Sequence, residues 1–155
     1  MTRPSEGKSD PQAASSWSDG TAASADTGQS PQGDSQSSVE AILDALTSGE
    51  NYLGAALIGR DGVPVVVRFR LQCNEEAVSA MGAAIIGAAD AALNDMSGEE
   101  IQRFAVESAG HRYQGHCLDE DLAVVLVTKT GVPIEDAFLR LQEAGRTLRE
   151  TIGEA

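Results

Sequence analysis

The chain has 155 residues, enough for one domain of ordinary size, and it carries 24 acidic against 11 basic residues, a formal net charge of −13. Binding to nucleic acid requires a clustered basic patch, and the basic residues here are scattered along the sequence, so we expect no nucleic-acid partner. Lysine is almost absent while Arg, Asp and Glu are common. This acidic, halophile-like balance suggests adaptation to high salt, where screening removes the cost of self-repulsion.

Residues 1–36 are rich in Ser, Gly and Asp, and they contain the only tryptophan, Trp17. Such a segment cannot bury enough apolar area to offset the roughly 1 to 2 kcal/mol per residue that ordering a backbone costs. We therefore predict a disordered tail over residues 1–36 and a folded domain over residues 37–155. The tail lacks the apolar core of a signal peptide, and no run approaches the roughly eighteen apolar residues of a membrane span. We expect a cytoplasmic protein without direct membrane insertion.

The first predicted elements are a short helix and a hairpin. The helix covers residues 37–49, where Ser37 and Glu40 have capping-box spacing. Two strands follow, at residues 52–59 and 65–71, joined by a turn at Arg60, Asp61 and Gly62. Because the first of these strands is apolar on both alternating faces, it is expected to be buried on both sides.

The central segment, residues 77–96, has helical character but almost no polar face. Asn74 is its predicted N-cap. A period of 3.6 residues separates a stripe of mostly large side chains from a stripe of small ones. The large stripe contains Val78, Met81, Ile85, Ala89 and Met96, and the small stripe contains Ala80, Ala84, Gly87 and Ala91. A surface helix needs only one apolar face, so two stripes predict two partners: the sheet for the large stripe and a second subunit for the small one.

Three more strands and a helix complete the chain. The strand at residues 101–108 is half polar on both faces, as suits a sheet edge. The next strand covers residues 112–118, and the strand at residues 122–128 is apolar on both faces and is expected beside the first strand. A final helix begins at Pro133. The predicted fold class is α+β, in the order α-β-β-α-β-β-β-α, with a five-stranded antiparallel sheet and helices on both faces.

Few residues could support catalysis. His111, His116 and Cys117 form the only cluster of soft ligands, but neighbours on a strand point to opposite faces, so neither a metal site nor a Cys nucleophile is expected. Cys73 and Cys117 are interpreted as small buried apolar residues. The acidic groups at residues 99–100 and 119–121 match no calcium-loop spacing and are interpreted as solvated turns. We predict no catalytic residue, metal or cofactor.

Two successive segments resemble the roadblock family, named from a dynein light chain, and especially its prokaryotic members. They are LGAALIGRDGVPVVVRF (residues 53–69) and EEAVSAMGAAIIGAADAAL (residues 75–93). The similarity covers about residues 37–152. It implies a roadblock/profilin-like domain that forms homodimers, in which the central helices pair and the third strands meet edge to edge. It also implies function by contact: MglB-type members are homodimers that speed GTP hydrolysis by a small Ras-like GTPase, and others act as scaffolds.

We therefore expect a homodimeric adaptor that binds a small Ras-like GTPase, with stimulation of GTP hydrolysis as the stronger form of the hypothesis. The family has no fixed catalytic motif, so only positions on the central helix and third strand are transferred. The predicted interface residues are Ala80, Ala84, Gly87, Ala91, Asn94, Gln102, Phe104 and Val106. One alternative is a non-catalytic scaffold for a larger membrane-associated or cytoskeletal complex, and a more remote one is a small-molecule or redox sensor.

Overall fold

The computed structural model describes residues 31–153, so the predicted disorder of residues 1–30 lies outside the described part of the chain. Its elements follow the predicted order. They are α1 (Pro31–Leu46), β1 (Tyr52–Gly59), β2 (Pro64–Phe69), α2 (Glu75–Ser97), β3 (Arg103–Glu107), β4 (His111–Cys117), β5 (Leu122–Lys129) and α3 (Ile134–Gly153). The strands form one antiparallel sheet in the order β2-β1-β5-β4-β3. The prediction that β1 and β5 lie side by side at the centre, with β3 at an edge, is confirmed.

The two faces of the sheet are covered unequally. On one face α1 and α3 pack together, and their side chains Leu43, Leu141 and Leu148 are fully buried over the sheet. On the other face α2 packs alone, with Ile86 as its buried large side chain. Helices therefore cover both faces, as predicted, with two helices on one face and a single helix on the other.

The capping residues predicted from the sequence can be compared with the observed ends of the helices. Asn74 caps α2 as predicted, since its side chain accepts a hydrogen bond from the Ala77 N–H at 3.0 Å. At the other end Gly98 takes a left-handed conformation with φ 72°, which suits a residue without a Cβ. In contrast, α1 begins at Pro31 rather than at the predicted Ser37. A proline at the first position and Asp34 in the first turn both favour that earlier start.

The β2 edge of the sheet is irregular and charged. The register of β2 against β1 shifts between Leu57 and Ile58, and Pro64 lies opposite Ile58. Further along β2 the Arg68 guanidinium forms ion pairs with Glu40 at 2.8 Å and with Asp44 of α1 at 3.2 Å. A proline, a register shift and a charged side chain are the features that discourage another strand from adding to an edge.

Candidate functional site

Close packing of α2 on the sheet depends on the small residue Gly82. A Cβ added at this position would lie 2.4 Å from the Tyr113 hydroxyl oxygen and 2.9 Å from Ile58 Cδ1. With no side chain there, the Tyr113 hydroxyl reaches the helix backbone and donates a hydrogen bond to the Val78 carbonyl at 2.9 Å. Gly82 therefore sets the distance between α2 and β4.

The side of α2 that faces the sheet differs in part from the predicted one. Its buried residues are Ser79, Gly82 and Ile86, whereas Met81 and Met96, placed on the sheet by the sequence pattern, are 62% and 77% exposed. The other members of the large stripe, Val78, Ile85 and Ala89, are half-buried. The physical reason lies in the sheet beneath: the rings of Phe104 and Tyr113 meet edge to face with centroids 5.5 Å apart. The Tyr113 hydroxyl lies where a Cβ of residue 82 would be, so Gly82 and not a larger residue faces this ring.

The outer face of α2 is apolar and uncovered within the described chain. The predicted interface residues on the helix are all exposed, namely Ala80, Ala84, Gly87, Ala91 and Asn94. No heavy atom lies within 4 Å of a Cβ added at Gly87. We call this surface, including Met81 and Met96, the outer face of α2. Exposed apolar patches of a few hundred Å² or more are typical of interaction sites.

The hydropathy of α2 corrects one expectation from the sequence. An 18-residue window of this helix has a mean hydropathy of 1.4, and 17% of the window is buried, so by length and composition the helix could cross a membrane. The expectation that no run approaches a membrane span is therefore wrong. One such helix is weak evidence for spanning, because a helix at a protein interface meets the same criterion.

The third strand presents an open edge beside α2. β3 is the last strand on its side of the sheet, and Val106 is 48% exposed there. Gln102 is also exposed and immediately precedes the strand, and its carbonyl accepts a hydrogen bond from the Cys117 N–H at 2.8 Å. Phe104 is different, since its ring is buried in the protein's own core. Of the predicted strand residues, Gln102 and Val106 therefore offer side chains, and Phe104 offers only its backbone.

One end of α2 is fastened by Asp90, which the sequence pattern treated as an interruption of the apolar helix. The Asp90 carboxylate accepts a hydrogen bond from the Ile101 N–H at 3.0 Å and forms an ion pair with Arg60 at 3.3 Å. Arg60 in turn donates to the Asp119 carbonyl at 3.3 Å. These contacts join α2 to the β1–β2 turn, the start of β3 and the β4–β5 turn. A charged residue inside an apolar helix was the sequence signal for such a contact.

A broad acidic groove lies beside this junction. Its volume is about 810 Å³, and Arg60 is the basic residue in its lining. Its acidic residues come from the two turns that the sequence analysis interpreted as solvated: Glu99, Glu100, Asp119, Glu120 and Asp121. The turns are exposed, as expected, but the fold brings them together into one negative surface at the C-terminal end of α2.

Comparison with known proteins identifies the architecture. No protein-family model matches the sequence, and no curated protein matches it either. Among solved structures, the gliding protein MglB from Thermus thermophilus superposes with a TM-score of 0.69 at 17% identity, over 78% of this chain and 93% of that one. The fold is of the roadblock type.

Two further solved structures are similar to this roadblock fold. An MglB with a tetrameric arrangement gives a TM-score of 0.66 at 18% identity, over 81% of this chain and 92% of that one. A Roadblock/LC7 domain from Streptomyces avermitilis gives 0.65 at 10% identity, over 72% and 94%. The prediction of a roadblock-type, MglB-like fold from two sequence segments is confirmed.

In this roadblock fold the cysteine and histidine residues do not converge. His116 faces α3, where a Cβ added at Gly145 would lie 2.8 Å from its ring, whereas Cys117 packs in the cluster under α2. Burial raises the pKa of the Cys117 thiol, which disfavours the reactive thiolate. Cys73 is exposed, so its interpretation as a buried apolar residue is wrong. Within residues 31–153 no group of three His, Cys, Asp or Glu side chains is placed to hold a metal ion.

Proposed function

We propose that the protein is a homodimeric cytoplasmic regulator that binds a small Ras-like GTPase and stimulates its GTP hydrolysis. The observation that carries this proposal is the uncovered apolar outer face of α2 beside the open edge of β3, on a fold shared with MglB structures. The protein would act by contact, because its conspicuous surfaces are an apolar face, a strand edge and a charged groove rather than a cluster of reactive side chains.

The dimer would form by pairing the outer faces of two α2 helices. The small side chains at Ala80, Ala84, Gly87 and Ala91 allow two helix axes to approach closely. A two-fold dimer uses the same patch on both copies, so one apolar face is sufficient to form the whole interface. Asn94, Gln102 and Val106 would flank it, and the β3 backbone would supply hydrogen-bonding groups. The solved MglB with a tetrameric arrangement supports self-association.

The GTPase would dock at the ends of the paired helices. The acidic groove lies at one such end, and the Asp90 contacts with Arg60 and Ile101 hold the surrounding turns in place. A regulator that lacks its own catalytic group accelerates hydrolysis by stabilising a particular arrangement of the GTPase. It must therefore bind the transition state of hydrolysis more tightly than the GTP-bound ground state, and selective binding of one nucleotide state is the mark of a regulator.

The test mixes the purified protein with the small GTPase encoded nearest to its gene. Affinity is measured by calorimetry with the GTPase loaded with GDP or with a non-hydrolysable GTP analogue, and GTP turnover is measured with and without the protein. Tighter binding to one nucleotide state together with faster turnover supports the proposal. Binding to neither state, with unchanged turnover, removes that GTPase as the partner.

A membrane-associated scaffold is the second candidate, and the hydropathy of α2 is the observation that favours it. In that case the GTPase would bind equally in both nucleotide states, and its turnover would not change. Flotation with phospholipid vesicles separates the two proposals. The scaffold is supported if the wild-type protein floats and the Gly87→Glu variant, which has a charge on the outer face of α2, does not. The regulator is supported if the wild-type protein stays at the bottom of the gradient.

A further inference from the structure

A second charged groove lies on the opposite face of the sheet from α2. It has a volume of about 470 Å³ and runs between α3 and β4, with His116, Arg146 and Arg149 among its lining residues. Arg103 of the edge strand β3 is paired in register with His116, and its guanidinium stacks on Phe138 of α3, so it lies on the same side of the sheet as the groove. We call this surface the α3 groove. It is basic, in a chain whose formal net charge is −13.

Two of its arginines are held in place without an acidic partner among residues 31–153. The Arg103 guanidinium stacks 4.7 Å from the centroid of the Phe138 ring, and Arg149 Nε donates to the Leu118 carbonyl at 3.0 Å. Other arginines of the chain, such as Arg60 and Arg112, form ion pairs with carboxylates. An aromatic ring and a backbone carbonyl, rather than carboxylates, orient Arg103 and Arg149, so their positive charges remain available to a ligand. Because these side chains are already ordered in the free protein, they lose less conformational entropy when a ligand binds.

The remaining charges of the groove sum to one negative charge, because one arginine faces two glutamates. Arg146 is paired with Glu143 at 2.6 Å and with Glu150 at 3.1 Å, so it adds little free positive charge. Burial lowers the pKa of His116, and the nearby charges of Arg149 and Arg103 lower it further, so the imidazole is neutral at pH 7. The surplus positive charge of the groove is therefore small and resides on Arg103 and Arg149.

The shape and rim of the groove indicate which anion it fits. Leu139 lines it and is 63% exposed, so an apolar side chain stands beside the two arginines. A planar guanidinium matches the two oxygens of a carboxylate. A small surplus of positive charge suits single carboxylates better than a phosphate group, which carries close to two negative charges, or a nucleic acid, which the acidic chain repels.

We propose that the α3 groove binds an acidic peptide segment of a partner protein, with carboxylates on Arg103 and Arg149 and an apolar side chain against Leu139. The segment would bind on the face of the sheet opposite the outer face of α2. The two surfaces could therefore be occupied at the same time. The α3 groove would add a tethering site to a protein whose other contacts are self-association and GTPase binding.

The test begins with a phage-displayed library of random dodecapeptides panned against the full chain. Non-specific electrostatics should deplete acidic peptides, because the chain itself is strongly negative. Enrichment of peptides that combine Asp or Glu with Leu-type residues therefore supports the proposal, and absence of acidic enrichment overturns it. Affinities of the selected peptides are then measured by fluorescence anisotropy.

The variant Arg103→Gln/Arg149→Gln should weaken binding of a selected acidic peptide by at least about tenfold. The matched control, Lys129→Gln/Arg140→Gln, makes the same change in net charge at exposed sites outside the groove and should leave affinity unchanged. Thermal unfolding establishes that both variants are folded. Equal weakening by the two variants would mean that overall charge, and not the groove, binds the peptide.

Two further arms separate this proposal from its alternatives. If inorganic phosphate displaces the peptide at micromolar concentration, the groove is a small-anion site and the peptide proposal fails. The Gly87→Glu variant should bind the peptide with unchanged affinity, because position 87 lies on the opposite side of the sheet. Loss of peptide binding in that variant would contradict an independent site, whatever the outcome for the dimer.

Discussion

Replacing Gly87 by Glu places a carboxylate in the middle of the outer face of α2, and the structure allows the effect on the protomer to be separated from the effect on assembly. Position 87 is exposed, and an added Cβ meets no heavy atom within 4 Å. Glu is a better helix former than Gly by up to about 1 kcal/mol in a helix interior. The isolated protomer of the Gly87→Glu variant should therefore be as stable as the wild type or slightly more stable.

A dimer built on this face should respond in the opposite direction. A carboxylate buried without a partner costs several kcal/mol, and a two-fold interface contains the substitution twice. Taking about 3 kcal/mol for each copy, and about 1.4 kcal/mol for each tenfold change, the dimer dissociation constant should rise by about four orders of magnitude. The substitution should convert a dimer into a folded monomer.

The assay is molar mass by light scattering across a range of protein concentrations, combined with urea unfolding of the same samples. Gly87→Ala is the matched control, since it adds a methyl group and helix propensity without charge and should remain a dimer. Gln142→Glu adds a carboxylate to an exposed position on α3 and should also remain a dimer. A Gly87→Glu variant that keeps the dimer mass would refute the assignment of the interface to the outer face of α2.

Three other predictions concern the protomer. Gly82→Ala should lower the free energy of unfolding by about 1 to 3 kcal/mol in urea titrations, because its Cβ would lie 2.4 Å from the Tyr113 hydroxyl oxygen; an unchanged midpoint would mean that α2 can move away at no cost. Asp90→Ala should lower the free energy of unfolding by about 1 to 3 kcal/mol, because it leaves the Ile101 N–H without its acceptor. Asp90→Asn keeps an acceptor oxygen and loses only the ion pair with Arg60, so it should lower the free energy of unfolding by about 1 kcal/mol or less. Equal losses in the two variants would contradict the larger role given to the hydrogen bond. The pKa of His116 is lowered in the folded state, so the folded protein binds fewer protons than the unfolded chain, and stability should be full above about pH 6.5 and should fall as the pH drops below it. The free energy of unfolding, measured between about pH 5 and about pH 8, should fall less steeply on acidification in His116→Gln than in the wild type. Parallel pH dependences of the two proteins would argue against the lowered pKa.

Local patterns predicted most of the architecture. Apolar runs bounded by turn residues located the strands, and the absence of a polar face correctly placed β1 and β5 at the sheet centre. The Asn74 cap was readable because capping depends on residues within one turn. The early start of α1 at Pro31 was missed because polar residues 31–36 carry no apolar periodicity, and their helix is supported by packing further along, at Val39 and Leu43.

The orientation of α2 could not be read from the sequence alone. In a helix that is apolar almost all round, the period identifies the helix but not the side that meets the sheet. That side is chosen by contacts with the sheet, among them the Tyr113 ring on β4, which leaves no room for a Cβ at Gly82. The α3 groove escaped the sequence analysis for a related reason. Arg103 and Arg149 look scattered along the chain, and only the folding of α3 beside the sheet brings their charges to the same groove.

The two edges of the sheet differ in a way that limits how far assembly can proceed. The β2 edge carries Pro64, a register shift and the ion-paired Arg68, whereas the β3 edge is a short regular strand. Two copies joined along β3 would share one continuous sheet and would present only β2 edges to the outside. Growth by strand addition would then terminate after a single pairing instead of propagating into a filament. Any larger assembly would have to use surfaces other than the strand edges, because the edges left exposed would be the irregular and charged β2 strands.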